Sequence, residues 1–254
     1  GYEFERGLGM NFDSDTPQAI AHGLTLGATS FAGAFGGRQP DLLFLLGDRV
    51  EVLAPALASL PFNIPMAHLY GGKVTEGAVD ERVRHALTKM SHLHFVTCQV
   101  YADRVVQMGE EPWRVFNFGS PGLDRLRNYV PASREALCTS LGLDPQRPFL
   151  LATFHPVTVE PAAQDSQVDS WLSALERSGL AVVATYPNAD AGSDRIAAAL
   201  KDFAVRVGER VRLIRNAGAQ TYFDLMTHAA AMVGNSSSGI GEAPSFELPV
   251  VNIG

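Results

Sequence analysis

The sequence predicts an α/β protein made of two doubly wound, parallel-sheet domains, and three observations lead to this class. Short apolar runs alternate with longer helical patterns, as in parallel sheets covered by helices on both faces. A weaker stretch between residues 122 and 148 contains three prolines and separates two such series. The length of 254 residues, 46% of them hydrophobic, suits one or two domains with well-filled cores.

The strands follow in order along the chain, with helices in the gaps between them. The first domain is predicted over residues 1–130 and the second over residues 131–254. The predicted strands are 41–47, 64–70, 93–97 and 115–119 in the first domain, then 149–154, 181–186, 211–214, 231–234 and 249–254 in the second. No internal repeat or low-complexity segment interrupts this order.

Charge and composition exclude several function classes. The formal net charge of −7 argues against a broad nucleic-acid surface. No apolar run reaches the roughly 20 residues that span a bilayer, and no signal-peptide pattern opens the sequence, so we expect no membrane partner and a cytoplasmic location. Cys98 and Cys138 form no CxxC, and no His/Cys cluster has metal spacing. We therefore expect neither a metal nor a cofactor.

The turn after the strand at 231–234 is unusually rich in small polar residues. It reads GNSSSGIGE and places Asn235, Ser236, Ser237 and Ser238 before a short helical pattern. Asparagine and serine are common helix caps, and one of them would be enough for that purpose. A turn with several hydroxyls and open glycines also suits an anion such as phosphate. At this point capping and ligand binding are both open.

Polar residues also follow the strands of the first half, where ligands bind in open α/β sheets. Asp48 comes directly after the first strand, as a helix cap or as a catalytic acid. A glycine turn and a helix follow the second strand. On that helix Asp80 and Arg84 are predicted to be i,i+4 neighbours, as are Glu81 and His85, and solvated ion pairs are the alternative to a site.

The second half repeats this arrangement. His155 stands just past a strand, where a structural histidine is the alternative to a functional one. Asn188 and Asp190 follow the next strand, and a cap or an Asx-turn explains them as well as a ligand does. Glu242 follows the serine turn and is a candidate to accept hydrogen bonds from ribose hydroxyls.

Five segments together carry a resemblance to a known family. They are PDLLFLLGDRVEVLAPALA, HLYGGKVTEGAVDERVRHALTKMSHLHFV, FHPVT, PNADAG and GNSSSGIGEAPSFELPVVNIG. In this order they resemble the UDP-N-acetylglucosamine 2-epimerase family, and within it the hydrolysing branch of sialic-acid-type sugar biosynthesis. The resemblance implies the GT-B architecture, with a sugar nucleotide in the cleft between two domains and a homo-oligomer (dimer or tetramer). Family members extend beyond both ends, so it also predicts a chain truncated at both ends.

The resemblance implies a reaction and a set of site residues. Hydrolysing members convert UDP-N-acetylglucosamine and water to N-acetylmannosamine and UDP, by elimination of UDP and hydration of the unsaturated sugar. This needs a base for the proton on carbon 2 and a site for the departing diphosphate. The implied catalytic residues are Asp48, Asp80, Arg84 and His155. The implied UDP-binding residues are Asn188, Asp190, Asn235, Ser236, Ser237 and Glu242.

Two positions depart from the family pattern, and rival functions stay open. Some relatives carry a glutamate at the position of Tyr70, and many carry an acid at that of Lys73. A tyrosine with an ordinary pKa near 10 is a poor base but can serve as a general acid. The alternatives are a non-hydrolysing epimerase, a 2-epimerase of a related UDP-diacetamido sugar, a GT-B glycosyltransferase, and an inactive UDP-sugar-binding protein.

Overall fold

The computed structural model describes residues 14, 16–76, 78–157, 164–188 and 190–253. The chain divides into two compact units, residues 1–122 and 123–254. Tyr129 belongs to the second unit, where its hydroxyl donates to Asp224 Oδ1 at 2.7 Å. The sequence-based limit between residues 130 and 131 stays a prediction. Gly254, the last residue of the final predicted strand, lies outside the described residues, as do Gly77, Thr158 and Ala189 of the quoted segments.

Unit 1 alternates helices and strands from its first helix onward. Thr16 caps that helix by accepting the Ala19 N–H at 3.2 Å, and Pro17 stands at its first position. The elements are α1 (Pro17–Gly37), β1 (Leu43–Leu46), α2 (Leu53–Ser59), β2 (Met66–Leu69), α3 (Asp80–Met90), β3 (Leu93–Val96), α4 (Gln99–Gln107) and β4 (Val115–Asn117).

The described strands of unit 1 form a parallel sheet in the order β1-β2-β3-β4. One face is covered by helices, because Leu45 and Met66 pack against Val83 and Leu87 of α3 and Ala56 of α2. All four strands end at the same edge. That edge therefore brings together the residues that follow each strand.

The opposite face of this sheet differs from the prediction that helices cover both faces. The Phe95 ring lies 6.1 Å from that of Phe44, 5.4 Å from that of Phe116 and 6.1 Å from that of Phe118. Phe44 and Phe118 are 61% and 77% exposed. Within the described residues, aromatic stacking rather than helix packing holds this face together.

Unit 2 repeats the alternation. Ser133 caps its first helix by accepting the Ala136 N–H at 3.1 Å, and Gly142 ends that helix with a φ of +64°. The elements are α5 (Arg134–Leu141), β5 (Phe149–Thr153), α6 (Gln164–Arg177), β6 (Ala181–Thr185), α7 (Ser193–Val207), β7 (Val211–Ile214), α8 (Gly218–His228), β8 (Ala231–Gly234), α9 (Ser238–Gly241) and β9 (Val250–Asn252).

The described strands of unit 2 form a parallel sheet in the order β7-β6-β5-β8-β9. Alternate residues of β5 enter two separate cores. Leu150 and Ala152 pack with residues of α6 and α7, whereas Phe149 and Leu151 pack with residues of α5 and α8. Both faces are therefore covered, as predicted, and all the predicted strands are present at or near their expected positions.

The strand order of unit 2 reverses between two neighbouring strands. From β5 the chain moves outward to β6 and β7, then returns to place β8 on the other side of β5. In open α/β sheets, ligands bind beyond the carboxyl ends of the strands at such a switch point. The residues just after β5 and β8 are therefore the leading candidates for a ligand site in this unit.

Candidate active site

Asp48 and Arg84 meet at the carboxyl edge of the unit 1 sheet. β1 ends at Leu46, and Gly47 turns the chain with a φ of +81° so that Asp48 follows. Arg84 extends from α3 and donates Nε to Asp48 Oδ2 at 2.8 Å, and Nη2 also donates to Oδ2. The side chain of Arg84 is 2% exposed and that of Asp48 is 24% exposed. A buried cation therefore holds a carboxylate that water can reach.

The same guanidinium also secures the loop after β2. Arg84 Nη1 donates to the Lys73 carbonyl at 3.0 Å, and Nη2 donates to Thr75 Oγ1 at 2.8 Å. Glu81 accepts the Thr75 N–H at 2.5 Å, so two residues of α3, Glu81 and Arg84, hold this loop. Arg84 thus positions other groups, because its hydrogen bonds go to neighbouring protein atoms.

Asp80 and the predicted pair of Glu81 and His85 lie at different positions on α3. Asp80 is the first residue of the helix and is half-buried. The predicted approach of Glu81 and His85 is confirmed, since Glu81 Oε1 lies 3.6 Å from His85 Nε2. Asp80 and Arg84 also lie four residues apart on α3, and Arg84 reaches from this helix to Asp48 at the end of a strand.

Tyr70 occupies this edge in an uncommon backbone conformation. Its φ is +70°, a left-handed value that is costly for a residue with a large side chain, by about 1 to 3 kcal/mol. The Tyr70 hydroxyl lies 3.2 Å from Ser120 Oγ and accepts the Gly122 N–H at 3.3 Å. The Lys73 ammonium stands 4.7 Å from the ring centroid. Tyr70 and Lys73, the two residues that depart from the family pattern, therefore contact each other.

In unit 2, His155 follows β5 and is held on both sides. Its backbone N–H donates to Asn235 Oδ1 at 2.7 Å, and Asn235 Nδ2 donates to the His155 carbonyl at 2.9 Å. The Asn188 N–H donates to His155 Nδ1 at 3.2 Å. Because Nδ1 accepts a hydrogen bond, the neutral ring carries its proton on Nε2.

The serine turn after β8 is built around a glycine that admits no side chain. Gly234 has a φ of +150°, and a Cβ there would lie 1.7 Å from the Thr153 carbonyl oxygen. Ser236 is buried and its Oγ accepts the Ser238 N–H at 3.3 Å. Ser237 is exposed and precedes α9 without a side-chain capping bond. The Ser236 hydroxyl therefore bonds the first residue of α9 from one position before the N-cap, whereas Ser237, the N-cap, makes no side-chain capping bond.

Tyr222 of α8 belongs to this region, and the sequence reasoning missed it. Burial raises the pKa of its phenol. Hydrogen bonds with the hydroxyls of Ser238, Ser236 and Thr153 act in the opposite direction, and the Glu242 charge adds to the increase. The tyrosine hydroxyl thus lies among the polar groups of the turn. No sequence signal marks Tyr222, because it precedes β8 inside a helical pattern.

A second set of hydroxyls adjoins the turn at the strand ends. Thr153 Oγ1 and Thr185 Oγ1 are 2.5 Å apart, at the carboxyl ends of β5 and β6. Thr153, Thr185, Tyr222, Ser236 and Ser238 are called the hydroxyl cluster below. The strand-end rule that selected His155 would also have selected Thr153, which is the last residue of β5. Hydroxyls both donate and accept, so such a group can adapt to phosphate oxygens.

The remaining predicted binding residues lie on two turns of unit 2. Asn188 is exposed, and its carbonyl accepts the Asp190 N–H at 2.9 Å. Asp190 in turn accepts the Ser193 N–H through its carbonyl at 3.0 Å, just before α7. Glu242 is half-buried at the end of α9. The structure therefore brings Asn188 and Asn235 into contact with His155, and Asp190 lies on the same turn as Asn188.

Within the described part of the chain, no group of three or more His, Cys, Asp or Glu side chains has an arrangement that could hold a metal ion. No helix there is long and apolar enough to cross a bilayer.

Comparisons with known proteins agree with this architecture. The chain is 36% identical over 242 residues to the GDP/UDP-N,N'-diacetylbacillosamine 2-epimerase (hydrolyzing) of Campylobacter jejuni, covering 95% of this chain and 63% of that protein. It is 38% identical over 241 residues to the UDP-N,N'-diacetylbacillosamine 2-epimerase (hydrolyzing) of Legionella pneumophila, covering 95% and 62%. The chain thus spans under two thirds of the length of these relatives.

Among solved structures, the UDP-GlcNAc 2-epimerase from Neisseria meningitidis bound to UDP-GlcNAc superposes with a TM-score of 0.75 at 18% identity. The match covers 92% of this chain and 64% of that one. This likeness confirms the predicted fold class of two parallel-sheet α/β domains of the GT-B type. The UDP-N-acetylglucosamine 2-epimerase family profile matches residues 3–254. The chain therefore belongs to the UDP-N-acetylglucosamine 2-epimerase family.

Proposed function

We propose that the full protein is a hydrolysing 2-epimerase that converts a UDP-activated 2-acetamido sugar and water to UDP and the free 2-epimeric sugar. The observation that carries the proposal is the switch point of unit 2. There His155 follows β5 and the serine turn follows β8, beside the hydroxyl cluster. The hydroxyl of Ser237 at this turn suits a diphosphate, which is the leaving group of the reaction, and we assign His155 to the same group.

The acids of unit 1 are assigned to the sugar. In the elimination, a base takes the proton from carbon 2 while the bond from carbon 1 to the diphosphate oxygen breaks. Water then adds its hydroxyl to carbon 1, and carbon 2 receives a proton on the other face. We assign the proton transfers to Asp48 and Asp80 and give Arg84 the task of orienting Asp48, since both its donors to this carboxylate go to Oδ2.

The two curated relatives favour one substrate over the other. Both are named for N,N'-diacetylbacillosamine, a diacetamido sugar. We therefore place a UDP-diacetamido sugar first and UDP-N-acetylglucosamine second. Asn188, Asp190, Asn235, Ser236 and Glu242 complete the proposed UDP site. The anionic substrate is made in the cytoplasm, and the proposal places the protein there.

The test is to incubate the full-length protein with each UDP sugar in deuterium oxide. We expect free sugar and UDP, with one deuterium at carbon 2 of the product. A 2-epimeric sugar nucleotide instead of free sugar would identify a non-hydrolysing epimerase, and turnover only with an acceptor would identify a glycosyltransferase. Binding of UDP sugar without any turnover would identify an inactive binding protein.

The Asp48→Asn and Asp80→Asn variants assign the catalytic acids. Each should lower turnover by about 100- to 10,000-fold while UDP affinity is retained, because general acid-base steps contribute this much. Asp202→Asn on the exposed side of α7 is the control and should behave as the parent. Near-parental turnover in both acid variants would remove these residues from the mechanism.

A further inference from the structure

His68 lies at the centre of unit 1, directly behind the turn that presents Asp48. It belongs to β2, and its side chain is fully buried. Its Nε2 lies 2.8 Å from the carbonyl oxygen of Gly47, the residue before Asp48. A carbonyl oxygen only accepts hydrogen bonds, so Nε2 must carry the proton.

The other ring nitrogen faces the helix that carries Arg84. His68 Nδ1 lies 3.3 Å from Thr88 Oγ1, and Thr88 Oγ1 lies 3.0 Å from the Arg84 carbonyl oxygen. The single hydroxyl proton of Thr88 goes to the Arg84 carbonyl oxygen, so His68 Nδ1 contacts Thr88 Oγ1 without receiving that proton. One imidazole therefore bonds to the turn after β1 and packs against α3, the helix that carries Arg84.

Close packing leaves this ring little freedom to move. A Cβ on Gly71 would lie 3.1 Å from Thr88 Oγ1 and 3.3 Å from His68 Nδ1, so the glycine turn rests against the same two groups. Gly47 has a left-handed φ of +81°. The Gly47 N–H donates to the Leu69 carbonyl at 3.1 Å and the Gly47 carbonyl accepts from His68, so β2 satisfies both polar backbone groups of this glycine.

We propose that His68 is a positioning residue, which fixes the turn at Gly47 and through it the orientation of the Asp48 carboxylate. The catalytic part of this inference rests on the proposed function, whereas the geometric part does not.

The charge state agrees with this role. Burial lowers the pKa of His68 to about 4, the hydrogen bond to Gly47 acts in the opposite direction, and the groups that face the ring are His94, Asp48 and Arg84. The ring is therefore neutral at pH 7, and its one N–H, on Nε2, donates to the Gly47 carbonyl.

The first measurement is independent of activity. Long-range ¹H–¹⁵N spectra of the full-length protein should show His68 with its proton on Nε2 and without titration between pH 5 and 8. A proton on Nδ1, or titration near the ordinary pKa of about 6.5, would overturn the proposal. The result for the His68 tautomer is valid even if the parent protein turns over no UDP sugar. An absence of turnover would contradict only the proposed function.

The second measurement uses His68→Leu and His68→Gln, with His92→Gln as the control. His92 is exposed and accepts the Met66 N–H through Nδ1 at 3.2 Å, at the other end of β2. We expect His68→Leu to lower kcat by about 10- to 100-fold, the size of effect that a displaced catalytic group produces, with KM and UDP affinity nearly unchanged. Glutamine can still donate to Gly47 and should recover most of kcat.

A crystal structure of His68→Leu supplies the geometric outcome if that variant folds, and His68→Gln serves if it does not. The turn at Gly47 should shift in the leucine variant and stay in place in the glutamine variant. An unmoved turn with parental kcat in His68→Leu would show that His68 only fills the core. The same conclusion follows if kcat falls only in proportion to the folded fraction.

Discussion

Arg84 donates two hydrogen bonds to a single oxygen of Asp48, and the two side chains differ sharply in their access to water. The guanidinium is 2% exposed and the carboxylate 24%. The two partners are therefore not equivalent. Loss of the carboxylate leaves a buried cation without its counter-charge, whereas loss of the guanidinium leaves a carboxylate that water can still solvate.

The first prediction concerns stability. Asp48→Ala should lower the free energy of unfolding by about 3 to 5 kcal/mol, the range for breaking a buried ion pair. Arg84→Met should lower it less, because methionine fills much of the volume and Asp48 can be hydrated. Urea unfolding measures both. Glu176→Ala, which breaks an exposed pair with Arg206, is the control and should cost less than about 1 kcal/mol. Equal losses at Asp48 and Glu176 would contradict the prediction.

The second prediction separates the serines. Ser236→Ala should lower the melting temperature, because the buried Ser236 Oγ accepts the Ser238 N–H and the loss of such a hydrogen bond costs about 0.5 to 1.5 kcal/mol. Ser237→Ala should leave melting unchanged and weaken UDP binding by more than about tenfold, since a hydrogen bond to a charged group is worth about 1.5 to 3 kcal/mol. Calorimetric titration with UDP and thermal melting of each variant decide the matter. Unchanged UDP affinity in Ser237→Ala would remove this hydroxyl from the proposed phosphate site.

The third prediction concerns the glycine of the serine turn. Gly234→Ala should lower the free energy of unfolding by at least about 3 kcal/mol, because the new Cβ would overlap the Thr153 carbonyl. Gly241→Ala is the matched control. A Cβ there meets nothing within 4 Å, and alanine in a helix is favoured over glycine by about 0.5 to 1 kcal/mol. Similar unfolding curves for the two variants would show that the turn relaxes easily.

The fourth prediction is a pH dependence. The folded pKa of His68 is about 4 and the unfolded value about 6.5, so between these values the unfolded chain binds a proton that the folded chain does not. The free energy of unfolding should therefore fall by about 3 kcal/mol as pH drops from 6.5 to 4. Burial also lowers the pKa of His94, which adds to the slope.

His68→Gln should flatten this pH dependence, while His92→Gln should leave it unchanged. Urea unfolding at several pH values between 7 and 4.5 provides the comparison. Parallel curves for the parent and His68→Gln would mean that His68 is protonated in the folded state as readily as in the unfolded one.

Strand positions were predictable because a buried parallel strand needs a short apolar run, and the strand-end rule then selected Asp48 and His155. The contact between Arg84 and Asp48 was not predictable, because helical spacing describes neighbours on one helix and says nothing of a carboxylate 36 residues away in sequence. Tyr222 was missed for the same reason. Its hydroxyl reaches the serine turn only through the packing of α8 against the sheet.

The exposed face of the unit 1 sheet shows a different limit. The run that contains Phe44 has the composition of a strand buried on both faces, yet that side chain is 61% exposed. Hydrophobicity identifies a strand but does not say which helix covers it.

Asn235 has a mechanical consequence. Its side-chain amide gives and receives one hydrogen bond with the backbone of His155, as a peptide group in a neighbouring strand would. The Asn235 side chain thus extends the hydrogen-bond ladder between β5 and β8 by one further pair of hydrogen bonds. A shift of either strand by one residue would break these two hydrogen bonds, so they help to fix the register of β5 and β8. The loop that carries His155 and the loop that carries the serines should consequently move as one body.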